Sequence, residues 1–426
     1  MKISNIDYIL LFSVLILVIL GAAAVYSASS YKADENTRSR LLHRADQAEN
    51  DGEAERAAEL RERARTIDGT KYYMIRQVQK IGIGLFVLLI ATFVDFKRWL
   101  DFSPLFYLVS LGLLALLFTN LSIVVSHGRA SRWLCIAGVT FQPSDFARYA
   151  LILIMARFLV RYRDALEDWK TYLKFWLVIA LVVGLVAAET DMGTAIMIAV
   201  IAVMIFYLAD VNFNYILATV TTMMAVGIFY LRIHPYMLKR IWHFMAQIFH
   251  QAEPGYQITQ SLISFASGGV LGVGVGNSFQ KFDFLPEAYK DMIFSIIGEE
   301  LGLLGTLGTM CLFLVIFYRG MMIARHAPND YGRLLATGIT VCISLYAFFN
   351  AAVALGLIPT TGIPMPFISY GGSALVTHLG AVGILLNISA QGSRSFANYP
   401  DHGQYIKRLR TLPFQGTSRT RQRKGL

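Results

Sequence analysis

The chain has 426 residues, of which 55% are apolar and only 15% charged, with a mean hydropathy of +0.52. That balance excludes a soluble globular domain and indicates an all-α polytopic membrane protein. Much of the net charge of +10 lies in the C-terminal tail, which points to attraction toward an anionic cytoplasmic leaflet and away from nucleic-acid binding.

A helix needs roughly 20 apolar residues to cross about 30 Å of hydrocarbon, and about ten segments meet or approach that length. They are 8–28, 79–94, 104–125, 146–160, 172–188, 193–209, 214–231, 291–318, 333–357 and 373–391. The first lacks a small-residue cleavage site after a short core and reads as a retained span. With the N-terminus inside, the cytoplasmic connections hold Lys97 and Arg98, then Arg157, Arg161, Arg163, Lys170 and Lys174, then Arg319, Arg325 and Arg333. This places both termini in the cytoplasm and makes 1–392 the membrane domain, with 393–426 a basic cytoplasmic tail. The 31–77 insertion then lies outside despite its many Arg residues, against the usual charge bias. Its 53–66 stretch, rich in Ala, Glu and Arg, reads as a short solvated helix, with docking to an outside partner as the alternative. Cys135, Cys311 and Cys342 show no CxxC spacing, so neither a disulfide framework nor a cysteine metal site is expected.

Between the third and fourth spans, Arg129 and Arg132 flank a short outer connection with Trp133. Trp133 suits an interfacial anchor, and the two Arg side chains suit a pyrophosphate. The segment 232–290, between the seventh and eighth spans, is expected to be a large extracytoplasmic loop. Gly268, Gly269, Gly272, Gly274 and Gly276 resemble a phosphate-cradling loop only superficially, since no Gly-Lys-Ser/Thr follows; close packing or a re-entrant loop explains them better.

Asp291 opens the eighth span, and Ser295 and Glu299 share its face if the helix is regular. Asp291 reads either as an N-terminal acid stabilised by the helix dipole or as a general base at the membrane surface. Glu299 and Glu300 lie deeper, where an ionised group needs a polar cavity or a cation, and a structural ion pair is the preferred reading. Near the end, residues 356–372 carry three prolines and four glycines. Such backbone is tolerated at membrane depth only when buried in protein or lining a wet cavity.

Together these residues resemble the SEDS family (shape, elongation, division and sporulation), in which FtsW and RodA stand. The match runs through Gly128-Arg129-Ala130-Ser131-Arg132-Trp133, Phe141-Gln142-Pro143-Ser144-Asp145 and Asp191-Met192-Gly193-Thr194-Ala195. It continues through Gly255-Tyr256-Gln257, Phe284-Leu285-Pro286-Glu287, Gly298-Glu299-Glu300-Leu301-Gly302 and Pro364-Met365-Pro366-Phe367-Ile368-Ser369-Tyr370-Gly371-Gly372. The chain departs from the family where Asp145 and Arg148 replace the common Glu and Lys, and where Thr190 replaces a common Pro before Asp191.

The resemblance implies a peptidoglycan glycosyltransferase that polymerises lipid II at the outer face of the bacterial inner membrane, beside a class B penicillin-binding protein and other divisome or elongasome membrane proteins. The long first outer loop and the tail favour an FtsW-like division enzyme over a RodA-like elongation enzyme. The resemblance makes Asp291 the catalytic base. Arg129, Arg132, Trp133, Lys281, Glu287, Ser369 and Tyr370 are the expected substrate-binding residues, while Asp145, Arg148, Asp191, Gln257, Glu299 and Glu300 line or brace the cavity. A divalent cation, Mg or Mn, is compatible with the chemistry, its ligands unassigned, and no organic cofactor is expected. A lipid II flippase or secondary transporter would use Asp191, Glu299 and Glu300 as relay or ion sites, and a pure divisome scaffold would tolerate substitutions throughout the cavity.

Overall fold

A computed structural model describes residues 6–51, 53–66, 72–119, 121–127, 130–136, 139–165, 168–249 and 255–397. The tail beyond 397 lies outside the described residues. In chain order the helices are α1 (Tyr8–Asn50), α2 (Ala54–Thr66), α3 (Tyr72–Phe93), α4 (Phe96–Asp101) and α5 (Ser103–Leu116). Strands β1 (Val124–His127), β2 (Ala130–Ile136) and β3 (Val139–Phe141) follow, then α6 (Pro143–Arg161), α7 (Trp169–Ala188), α8 (Met192–Leu208) and α9 (Phe213–Ile233). The chain continues with α10 (Pro235–Phe249), α11 (Tyr256–Gly268), α12 (Ile293–Arg325), α13 (Asp330–Ala354) and α14 (Gly372–Ala397). Among the described residues, seven helices are long and apolar enough to cross a membrane, and Ser103–Leu116 and Met192–Leu208 are shorter apolar helices.

Three elements differ from the sequence-based expectation. The 104–125 segment is helical only to Leu116; the β-branched run Ile123-Val124-Val125 leads into a strand, and β1-β2-β3 form a small antiparallel sheet. Helix α1 does not end at the membrane but runs on for 43 residues in all. Its extension pairs with α2 through buried Ala45, Ala48, Ala57 and Ala64, and Arg61 bonds Asp46 at 3.1 Å and also Glu49. The 232–290 segment carries α10 and α11. Finally, α12 is broken at Gly302, whose φ of 63° and ψ of −159° are not helical.

Close helix contacts depend on absent side chains. On α14, a Cβ at Gly383 would lie 2.4 Å from the Leu88 carbonyl of α3, and one at Gly380 would lie 3.0 Å from Val87. Asn387 then bridges the end of α3, donating to the Thr92 carbonyl at 2.8 Å and accepting from the Phe96 N–H at 2.9 Å.

Polar contacts sort the two ends of the bundle. At one end Arg319 grips Asp7 with bonds of 3.2, 2.9 and 2.6 Å, Arg157 donates to the Leu100 and Asp101 carbonyls, and Arg163 pairs with Asp330. At the other end Lys32 of α1 lies 3.8 Å from Asp283, and Tyr31 meets Phe282 edge-on at 5.2 Å. The 281–292 segment, and with it Asp291, therefore stands at the end of the bundle opposite Asp7.

Candidate active site

Asp291 immediately precedes Met292, the N-cap of α12, so its carboxylate stands at the positive end of a helix. Its Oδ1 is buried with no hydrogen-bond partner. Its Oδ2 faces Gly362, where a Cβ would come within 3.8 Å. The carboxyl is thus aimed at the irregular 356–371 segment, and Asn350 of α13 fixes that relation. Asn350 Nδ2 donates both to the Asp291 carbonyl at 2.7 Å and to the Ile363 carbonyl at 2.8 Å. Burial pushes the Asp291 carboxyl up to about 6, with Glu287 adding to the effect and its own backbone N–H, Lys290 and Arg240 opposing it. Such a group is ionised at neutral pH yet basic enough to take a proton from a hydroxyl.

Below Asp291 the broken helix is closed by the loop after α11. The Glu299 and Glu300 carbonyls, freed by the break, accept from the Val273 and Gly274 N–H groups, each at 3.0 Å. The Leu303 and Leu304 N–H groups donate to the Gly269 and Val270 carbonyls at 2.9 and 3.2 Å. Backbone approaches this closely only because Gly272 lacks a Cβ, which would sit 2.1 Å from the Glu300 carbonyl oxygen. The glycines serve packing, and the four bonds satisfy groups that hydrocarbon would leave stranded.

The same junction uses Glu299 and Glu300 differently from the expected ion pair. The Glu299 carboxylate accepts from the Ser278 hydroxyl and from the Phe279 and Gln280 N–H groups, the last two at 2.9 and 3.4 Å. Glu300 accepts from the Ser27 hydroxyl of α1. Among the described residues neither carboxylate has a salt-bridge partner. Hydrogen bonds from a loop and a neighbouring helix supply the compensation instead.

A second polar group lies around the α7–α8 turn. Arg132 of β2 donates to the Thr190 carbonyl at 2.6 Å and the Glu189 carbonyl at 3.4 Å, and Thr190 adopts a φ of 64°. Asp191 caps α8 through the Thr194 N–H at 3.2 Å and hydroxyl at 3.0 Å, and accepts from Gln142 at 3.2 Å. Gly193 lets this helix start press on Thr361, where an added Cβ would lie 2.9 Å from the Thr361 Cβ. Glu189, which sequence reasoning missed, is buried with both carboxylate oxygens unpartnered. Burial pushes its carboxyl up to about 9, Asp191 adds to this, and Arg132 opposes it.

Asp145 and Arg148 form a buried pair at 3.0 Å. Ser373 donates to Asp145 at 2.6 Å, and Arg148 reaches His378 at 3.3 Å while lying 4.4 Å from the Tyr346 ring. Gln142 and Ser373 link this pair to Asp191, so three of the six expected brace residues form one chain of contacts, while Gln257, Glu299 and Glu300 lie apart from it.

The other expected residues are more scattered. Arg129 lies outside the described residues, and Trp133 sits in β2 opposite Val125. Lys281 donates to the Gly276 carbonyl, and Gln257 meets the Pro286 carbonyl at 3.5 Å. Glu287, with a φ of 52°, pairs with Lys290 at 2.6 Å. The Ser369 hydroxyl accepts from the Met365 N–H at 2.8 Å, closing the turn after the prolines. Tyr370 packs among Tyr73 and Tyr289, with centroids 5.2 and 5.7 Å away, and its N–H donates to the Tyr289 carbonyl at 2.9 Å. Lys80 of α3 lies over the Tyr370 ring at 3.9 Å. Tyr73, Lys80, Arg240 and Asn350 carry no motif; a lysine inside an apolar helix was the one legible signal.

This arrangement defines a polytopic helical membrane protein with a buried carboxyl at one mouth of its bundle, facing an irregular, proline-rich segment. The FtsW/RodA/SpoVE cell cycle protein model matches residues 57–394, and the chain belongs to that family. The probable peptidoglycan glycosyltransferase FtsW of Geobacter sulfurreducens is 37% identical over 323 residues, covering 75% of this chain and 86% of the relative. The protein of the same name from Trichlorobacter lovleyi is 35% identical over 391 residues, covering 91% and 94%. Stage V sporulation protein E of Bacillus subtilis is 32% identical over 386 residues, covering 90% and 96%. Among solved structures, a chain of a peptidoglycan synthase complex that coordinates polymerization and crosslinking superposes with a TM-score of 0.68 at 21% identity, covering 93% of this chain and 99% of that one. The rod shape determining protein RodA of Thermus thermophilus gives 0.59 at 23% identity, covering 90% and 96%. At these identities the two structures establish the fold.

Proposed function

We propose that this peptidoglycan glycosyltransferase extends glycan strands from lipid II in septal wall synthesis, with Asp291 as the base. The observation that carries the reading is the Asp291 carboxyl itself. It is half-buried at the mouth of the bundle, has one oxygen fully buried and unpartnered, and is held by Asn350 against the 356–371 segment.

The acceptor 4-hydroxyl gives its proton to the Asp291 carboxylate as its oxygen bonds the anomeric carbon of the donor. The bond from that carbon to the diphosphate breaks, and the electron pair leaves with undecaprenyl diphosphate. Attack from the opposite face turns an α-linked donor into a β-linked product. The leaving group is good, so the protein needs to supply one base, positive charge near the diphosphate and exclusion of water.

No group of three or more His, Cys, Asp or Glu side chains among the described residues could hold a metal ion. Asp291 offers a single carboxylate, so Mg or Mn would be bound mainly through diphosphate oxygens and water. Such an ion would supply charge neutralisation.

The basic end of the bundle, with Arg157, Arg163, Arg319 and Arg333, faces the cytoplasm of the inner membrane in this reading, and Asp291 faces outward. A class B penicillin-binding protein is the proposed partner, by similarity to the synthase complex, alongside divisome membrane proteins.

The test is labelled lipid II given to the purified chain with its transpeptidase partner. Polymer and undecaprenyl diphosphate appearing together support the proposal. Movement of lipid II across a bilayer without polymer would instead identify a transporter.

A further inference from the structure

Lys80 is a charged residue in the third turn of an apolar membrane helix, a position at which a cation is costly unless it serves a purpose. Among the described residues no carboxylate lies within 4.0 Å of its ammonium, whereas Lys32 has two and Lys290 and Arg148 have one each. Its identified contact is the Tyr370 ring at 3.9 Å. Arg76 and Lys290 add positive potential at the same point, so Lys80 is not there to neutralise an acid.

The surrounding backbone is shaped around this side chain. A Cβ at Gly372 would lie 2.7 Å from Lys80 Cε and 3.1 Å from Nζ, so the start of α14 is left bare where the lysine passes. Tyr370 in turn contacts Tyr289 through its ring and through its N–H, two residues before Asp291. A chain of contacts therefore runs from the Lys80 cation over the Tyr370 ring to Tyr289, two residues before the base. Lys290 is itself paired with Glu287 at 2.6 Å, so the charge offered to an anion at this point is that of the Lys80 ammonium.

We propose that Lys80 is a binding residue for the diphosphate of a polyprenyl-linked sugar, gripping its oxygens above Tyr370 while the attached glycan reaches Asp291. This rests on the lipid II reading. The ammonium holds the diphosphate in the ground state and offsets the charge that builds on it as the glycosidic bond breaks. Of the cations expected from sequence, Lys281 is bonded to the Gly276 carbonyl, Arg132 to the Thr190 and Glu189 carbonyls, and Arg129 lies outside the described residues.

The experiment uses the full chain in detergent with three probes: undecaprenyl diphosphate, undecaprenyl phosphate and undecaprenol. Binding is measured for the native chain, Lys80→Met, Lys80→Gln and Lys80→Arg, with melting temperatures recorded for each. Loss of one charge-assisted contact should weaken diphosphate binding about tenfold or more in Lys80→Met and Lys80→Gln, leave undecaprenol unchanged, and be largely restored in Lys80→Arg. With lipid II, KM should rise in the same order.

Native diphosphate affinity in folded Lys80→Met or Lys80→Gln would overturn the proposal. Equal loss of diphosphate and undecaprenol binding would also overturn it, by showing that Lys80 only braces Tyr370. If diphosphate binding depends on Lys80 but no polymer forms, the site stands and the polymerase reading fails. If polymer forms with unchanged KM in the variants, the polymerase reading stands and this site fails.

Discussion

Gly272 and Gly276 offer a matched pair for testing how the broken helix is held together. Both have left-handed backbone, with φ of 82° and 84°, so an alanine at either carries the same local strain of about 1 kcal/mol. Their surroundings differ. A Cβ at Gly276 meets nothing within 4 Å, whereas one at Gly272 would lie 2.1 Å from the Glu300 oxygen, 2.4 Å from its carbonyl carbon and 2.7 Å from the Gly302 nitrogen. All three are backbone atoms, so the loop must withdraw. Withdrawal puts at risk the four bonds from Val273, Gly274, Leu303 and Leu304. At roughly 1 kcal/mol for each bond, plus the strain, Gly272→Ala should cost on the order of 5 kcal/mol. Gly276→Ala should cost about 1 kcal/mol. Thermal melting of the two variants in one detergent is the assay, with trypsin cleavage in the 269–281 loop as a local readout. Equal melting temperatures with an uncut loop in Gly272→Ala would refute the interlock.

Three further outcomes are expected. The Glu189 carboxyl is raised from the usual carboxylate range to about 9, so its contribution to stability is fully present below about pH 4.5 and is lost as pH rises toward 9. Glu189→Gln should remove that loss, leaving a melting temperature that exceeds the native one by an amount growing between pH 5 and 9; identical pH profiles would count against a buried, neutral Glu189. Asn350→Ala deletes the bonds to the Asp291 and Ile363 carbonyls and should lower kcat by about tenfold, with a smaller change in KM, in a polymerisation assay. Asp145→Ala leaves Arg148 buried without its carboxylate and should destabilise by about 3–5 kcal/mol in thermal melts, more than Arg163→Ala at the exposed pair with Asp330.

Much of the bundle was legible because apolar runs long enough to span are hard to mistake. The errors came where composition and conformation part company. Residues 31–51 turn from apolar to charged but contain neither Gly nor Pro, so α1 leaves the apolar environment without ending. Ile123, Val124 and Val125 look like the end of a span yet are better strand formers. Gly302 cannot be distinguished in sequence from a glycine inside a regular helix; only the loop from 269 to 274, folded into the gap, reveals the break.

In the site, Asp291 drew notice as a carboxylate at the start of a span, open equally to a helix-dipole acid and to a base, and the family resemblance favoured the second. Asn350 and Glu189 were not legible, and Lys80 stood out only as a lysine inside an apolar helix. Their roles depend on which backbone groups, rings and charges the fold brings beside them, and no spacing in the chain encodes those distances. The Glu299–Glu300 pair was recognised as needing compensation, but hydrogen-bond donors from Ser27 and from 278–280 supply it where a cation was expected.

The most direct test of the account is single-turnover glycan transfer from lipid II by the native chain and by Asp291→Asn, each with the proposed transpeptidase partner, after both are shown to melt alike and to bind it. Because the carboxyl must lose its proton before acting as a base, native kcat/KM should climb as pH rises through about 6 and then level. Asp291→Asn should yield no polymer across that range. Polymer from the folded Asn variant at the native rate, with the same pH profile, would contradict the assignment of Asp291 as the base.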